Sequence, residues 1–246
     1  MHSIFGTKHL ILLAISVVCL VLGTLVARKW SLEKLAKTLL GIGLISEIIK
    51  VFYYIIANEA THGGILPKTD LPFHLCSIQI LFVAVLVYAK SQKLKELLLS
   101  FMIPSCLFGG IAALLIATTS SLNGRWVLSV QYFGYHVAIS IFALVLLTGK
   151  QFQMTVKHYV NCLKLLLVLM LFAIYINSIL YDGFSNINFM YVASPPQSGL
   201  PFLTEKYGWG VYICHYAFTV VLCVTLCYIK PIFTAIRQKF SKASVR

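Results

Sequence analysis

The sequence predicts an all-α integral membrane protein: a seven transmembrane helix bundle with its N-terminus outside and its C-terminus cytoplasmic. Three observations predict it. Of 246 residues, 59% are hydrophobic and only 11% charged, whereas a soluble domain is about half apolar and a quarter charged. Seven apolar runs approach the ~20 residues that a helix needs to cross a bilayer, and in lipid such runs must be helical because each backbone group has to bond within its own segment. Lysines and arginines also collect in alternate connections, the positive-inside pattern.

The runs, in order, are Leu10–Val26, Leu39–Ala57, Leu71–Ala89, Leu97–Ala117, Tyr132–Thr148, Tyr159–Leu180 and Gly208–Tyr228. The first is too long for a cleaved signal core and leads into Arg28-Lys29-Trp30, so it reads as a retained helix. The second carries Glu47 and Lys50 on one face, an intramembrane ion pair, and ends outside at Asn58 and Glu59. The third opens as "LPFHLCSIQI", with Pro72 as a first-turn proline. The fourth contains Pro104 and Gly109-Gly110, which hint at a broken helix. Arg28, Lys29, Lys34 and Lys37 follow the first run, Lys90, Lys93 and Lys95 the third, and Lys150 and Lys157 the fifth. Lys230, Arg237, Lys239, Lys242 and Arg246 follow the seventh. The other connections hold Lys8, Lys68, Arg125 and Lys206. The chain is a single transmembrane domain, 1–246, with 230–246 a basic cytoplasmic tail. Its net charge of +13 is thus a topology signal and a match for anionic lipid headgroups, not a nucleic-acid surface. Seven cysteines, an odd number without secreted-type spacing, imply no disulfide framework; most read as small buried hydrophobes.

Ionisable groups within a span usually face a cavity or a partner, so their depth is informative. His74 lies ~5 Å and Cys76 ~8 Å below the start of the third run, and His136 ~6 Å below Tyr132 at the start of the fifth, at 1.5 Å per residue. Asn177, Tyr181 and Asp182 lie at the outer end of the sixth, and Tyr212 and His215 in the first turns of the seventh. Five helices therefore bring polar groups to one depth near the outer surface. On a helix Cys76 and Gln79 share a face, with Val83 further along it, while His74 points away from Cys76. His136, on another helix at matching depth, is then the better partner for the thiol. A histidine converts a buried thiol into a nucleophile, and Gln79, Asn177, Tyr181 or Tyr212 can supply donors for an oxyanion. A zinc site drawn from His74, Cys76, His136, Asp182 and His215 is the alternative use of these groups, but no Cys-x-x-Cys or His-Glu-x-x-His spacing supports it; the expectation is no metal and no cofactor. The outer connection "GFSNINFMYVASPPQSGLPFLTEKYGWG" reads as a cap with aromatic interfacial anchors or as a substrate gate, with Asn186, Asn188 and Tyr191 as its polar candidates.

The "LPFHLC" stretch, with "FGYHVAI", "NFMYVASPP" and "KYGWGVYI" in the same order, resembles the YwaF-type bacterial membrane proteins, which are similar to an animal seven-helix family of ether-phospholipid acyltransferases. The resemblance covers most of the chain. It implies that Cys76 carries the acyl group and that His136 is its partner. The chain departs from that pattern in "ASPP", where the family has a charged residue before proline, and in "KYGWG", where it has Gly-Pro-Trp-Pro.

The expected function is an acyltransferase of the bacterial plasma membrane. It moves a fatty acyl chain from a phospholipid to a lipid or other acceptor near the outer leaflet, through a Cys76–His136 thioester mechanism. An outward-facing site disfavours cytosolic acyl-CoA as donor. Membrane phospholipids are the expected partners, with no nucleic acid and no protein partner specified. Two alternatives stay open: a proton-coupled transporter or solute-binding protein that uses the same cavity with Glu47 and Lys50, and a non-catalytic subunit of a cell-envelope complex.

Overall fold

The computed structural model describes residues 4–57, 64–196, 203–204 and 206–243; Asn58 and Glu59 lie outside them. Among these residues the regular structure is helical throughout. Helices α1 (Thr7–Ala27) and α2 (Leu32–Phe52, continued by a π turn at Tyr53–Ala57) are joined by a short turn. A 3₁₀ turn (Lys68–Asp70) leads to α3 (Leu75–Tyr88), then α4 (Gln92–Leu115), the short α5 (Thr119–Asn123), α6 (Trp126–Thr148) and α7 (Val156–Leu180). A second 3₁₀ turn (Phe189–Tyr191) precedes α8 (Trp209–Cys227) and α9 (Ile229–Ala243).

Among the described residues six helices are long and apolar enough to cross a membrane: α1, α2 with its π turn, α4, α6, α7 and α8. α2, α4 and α7 start earlier than the apolar runs because polar caps set their N-termini. The Ser31 and Ser91 hydroxyls accept from the third N–H of α2 and α4, and Thr155 and His158 form a reciprocal capping box on α7. Such caps satisfy amides that have no intrahelical partner. α3 departs from expectation. Its 14 residues span ~21 Å at 1.5 Å per residue, short of a ~30 Å hydrocarbon core, because His74 takes an extended conformation (φ −68°, ψ 150°) as the N-cap. Pro72 therefore precedes the helix and is not in its first turn.

α4 and α6 form the centre. They share the most extensive contact in the molecule, and over half of each one's most apolar stretch is buried, whereas α1, α7 and α8 bury only 17% of theirs. Gly110 makes the close approach possible. A Cβ there would collide with the Ser140 hydroxyl and lie 3.1 Å from the His136 carbonyl oxygen. α4 is unbroken at Pro104. Proline lacks the N–H that would bond the carbonyl four residues back, and the Tyr228 hydroxyl donates to that Ser100 oxygen instead, at 2.8 Å. The hint of a broken helix is thereby corrected. Cysteine burial is also less general than expected: Cys106, Cys162 and Cys227 are buried, whereas Cys19 and Cys214 are exposed on the outer surface of the bundle.

The tail beyond α8 is helical. Along α9, Ile229, Phe233, Ile236 and Phe240 are all exposed, at spacings of three and four that place them on one side.

Candidate functional site

Three elements converge where α3 begins. The Tyr135 hydroxyl of α6 donates to the Cys76 carbonyl of α3 at 2.7 Å, which fixes the first turn of α3 against the turn of α6 that carries His136. The His136 ring lies between two tyrosines, with centroids 4.2 Å from Tyr132 and 5.9 Å from Tyr135. His136 is only 4% exposed. His136 Nδ1 lies 2.7 Å from the Tyr132 carbonyl oxygen. A carbonyl can only accept, so Nδ1 carries the proton and Nε2 keeps its lone pair.

Gln79 lies one turn along α3 from Cys76 and is 1% exposed. Its Nε2 donates to Ser105 Oγ of α4 at 3.1 Å. Ser105 in turn donates to the Phe101 carbonyl at 2.7 Å, so its oxygen can only accept from Gln79, and this fixes the orientation of the amide. The Gln79 carbonyl oxygen is left buried with no hydrogen-bond partner among the described residues. An unpartnered buried acceptor is costly. It is the opposite polarity from the oxyanion donor expected of Gln79: it fits an incoming hydroxyl or thiol proton.

The third element is the backbone of residues 189–192, which lies over the mouth of α3. His74 packs beneath it, with ring centroids 5.0 Å from Phe189 and 5.8 Å from Tyr191. Because His74 caps α3 rather than riding on it, the helical-wheel argument that pointed it away from Cys76 does not apply. Met190 (φ 57°) and Tyr191 (φ 54°) both occupy the left-handed region, which is strained for residues of this size. Side chains from two helices hold them there. Asn177 of α7 brackets Phe189, donating to its carbonyl at 3.2 Å and accepting from its N–H at 2.8 Å. From α8, Tyr212 donates to the Tyr191 carbonyl at 2.5 Å, Tyr216 to the Met190 carbonyl at 2.6 Å and Trp209 to the Val192 carbonyl at 2.9 Å. Asn188 clasps Ser194, donating to its carbonyl and hydroxyl oxygens, each at 2.8 Å. Burial pushes the Tyr191 phenol up to about 12.

The remaining predicted residues are placed as follows. Glu47 and Lys50 form the expected ion pair at 2.7 Å, and Lys50 also donates to the Asp70 carbonyl at 3.0 Å; the sequence reading did not include Asp70, whose carboxyl burial pushes up against the pull of Lys50. Asn177 and Tyr212 hold the loop rather than face the thiol. Asp182 pairs with Lys68 at 2.7 Å. Tyr181 is 72% exposed and His215 is exposed on α8, so neither joins Cys76. Asn186 is exposed as well. Among the described residues no three His, Cys, Asp or Glu side chains converge as a metal set would. Tyr132, Tyr135, Ser105 and Tyr216 were missed. Tyr212 and Tyr216, four apart at the start of a span, were the available signal for the last of these.

No curated protein and no solved structure matches the chain. A family model, that of the TMEM164 family, matches residues 4–228, from just before α1 to the residue that precedes α9. With six apolar helices of crossing length and that match over nearly its whole length, the chain is a multi-pass membrane protein that belongs to the TMEM164 family.

Proposed function

We propose that the chain is a membrane acyltransferase that works through Cys76 and His136, seven-crossing, with its N-terminus and its site on the outer side and its basic turns in the cytoplasm. The irregular residues 71–74 complete the crossing that α3 begins; non-helical backbone is tolerated at membrane depth where protein covers it. The observation that carries the reading is the bond from Tyr135 to the Cys76 carbonyl, which joins the thiol's turn to that of the imidazole.

In the first half-reaction the sulfur attacks the acyl ester carbonyl of a phospholipid. His136 Nε2 takes the thiol proton as the S–C bond forms, and returns it to the leaving lyso-lipid oxygen as the C–O bond breaks. In the second half-reaction an acceptor hydroxyl gives its proton to Nε2, attacks the thioester and releases the thiol. Tyr191, a protonated phenol whose ring packs against His74 two residues before Cys76, is the donor for the oxyanion. Burial in an enclosed site strengthens that contact.

The test is untargeted lipid profiling of cells that carry wild type, Cys76→Ala or nothing, with trapping of a hydroxylamine-labile acyl adduct on the purified protein. The expected result is an acyl adduct on wild type and none on Cys76→Ala, with matching lipid changes. Full activity in both Cys76→Ala and His136→Ala eliminates the proposal. Transport is the second reading, favoured by the Glu47–Lys50–Asp70 cluster. Selective loss in Glu47→Gln, with Cys76→Ala silent, is its signature.

A further inference from the structure

Away from Cys76, an apolar groove of about 310 Å³ opens between α1, α2 and α6. Its walls are aliphatic and aromatic: Val26 of α1, Leu39 and Ile42 of α2, and Ala138 and Phe142 of α6. Gly23 closes one end, because without a side chain it lets α1 settle against Ile141. The outer edges are open, with Val26 62% and Ile42 38% exposed, so the groove faces the bilayer. This volume sits at the low end for ligand pockets, enough for part of one hydrocarbon chain but not for a whole lipid.

The other end meets the turn between α1 and α2. Trp30 lines it, and the Lys34 ammonium sits 4.3 Å from the centre of the Trp30 ring. Arg28 and Lys29 precede it, and all three cations are exposed. The nearby acid, Glu33, is already paired with Lys37 at 2.5 Å, so Arg28, Lys29 and Lys34 leave three positive charges uncompensated by it. The turn is also held in place: Gln151 Nε2 donates to the carbonyls of Arg28 and Trp30, each at 3.0 Å. A fixed cationic and aromatic rim continuous with an apolar groove matches a ligand with an anionic head and a hydrocarbon tail. A sterol or a neutral lipid leaves the three charges unanswered.

We propose that this groove is a binding site for one anionic phospholipid, with an acyl chain against Ala138 and Phe142 and its phosphate between Arg28, Lys29 and Lys34. The site stands apart from the Cys76 chemistry. Ala138 and His136 are two positions apart on α6 and so point ~200° apart.

The experiment is native mass spectrometry of the purified protein after delipidation and exposure to equal phosphatidylglycerol and phosphatidylcholine with identical chains. Wild type is expected to retain one phosphatidylglycerol, about ten- to a hundredfold in preference, and to lose that preference in high salt. The combined Arg28→Gln, Lys29→Gln, Lys34→Gln variant is expected to bind the two lipids equally. Ala138→Leu, which fills the groove, is expected to retain neither. Equal retention by wild type means annular lipid only and overturns the proposal. A preference that survives the charge variant, or retention unchanged in Ala138→Leu, does the same. Should a variant fail to fold, the wild-type salt titration decides alone: a preference insensitive to salt is incompatible with a phosphate held by these cations.

Discussion

A histidine whose Nδ1 proton is committed to a carbonyl is prepared to accept a second proton at Nε2, and His136 meets that condition. Its replacement by alanine is expected to slow acyl transfer by about 10²–10⁴-fold, the usual share of general acid–base catalysis. Alkylation of Cys76 by a lipid-tailed haloacetamide should slow with it; an unchanged labelling rate would show that the imidazole does not activate the thiol. Cys76, His136 and Gln79 were legible in the sequence because polar side chains within apolar runs are few and helical periodicity places Cys76 and Gln79 on one face. The roles of His74, Asn177 and Tyr212 were not. Each depends on residues 189–192, where Met190 and Tyr191 adopt a left-handed conformation that no glycine announces. Nothing local to Asn177 or Tyr212 says that its partner is a loop carbonyl.

Helix α4 shows the same limit one level up. Pro104 is visible in the sequence and argues for a break; its remedy is the hydroxyl of Tyr228 on the oxygen of Ser100, a residue 128 positions away from that tyrosine. Tyr228→Phe removes the donor and leaves a buried carbonyl without its partner, so a loss of about 1–3 kcal/mol is expected. Thermal unfolding in one fixed detergent measures it; an unchanged midpoint would mean that water or a helix distortion already serves Ser100. Helix existence, by contrast, was readable from apolar length alone. Three of the missed boundaries fall at Ser31, Ser91 and Thr155, where the caps extend helices past the apolar runs into polar sequence. α3 errs the other way, because it begins only after its N-cap His74. The basic tail was readable as charge, but its apolar side emerges only once α9 is seen as a helix.

Across the molecule, the approach to α3 is strapped to the connection between α7 and α8 by Lys68 and Asp182. Lys68, with the N–H groups of Ser185 and Phe184, holds the Asp182 carboxyl well below the usual carboxylate range. A carboxylate depressed in the folded state stabilises it above the ordinary pKa of 3.8 and loses that contribution as pH falls through the lower folded value. Wild type should therefore lose thermal stability relative to Asp182→Asn as pH drops below about 4, and parallel curves for the two would refute the strap. This pairing joins segments 114 residues apart and had no signature in the sequence; the alternation of basic turns, which gave the bundle its expected orientation, did. The pairing of α4 with α6 carries one more implication. The wall between them at Gly110 is a single hydrogen atom thick. A methyl group there evicts the Ser140 hydroxyl from its seat on the His136 carbonyl, 2.8 Å away, and still presses on that oxygen. Gly110 is thus a hidden wedge point, from which one added carbon shifts the helix that bears His136 while that side chain keeps its identity.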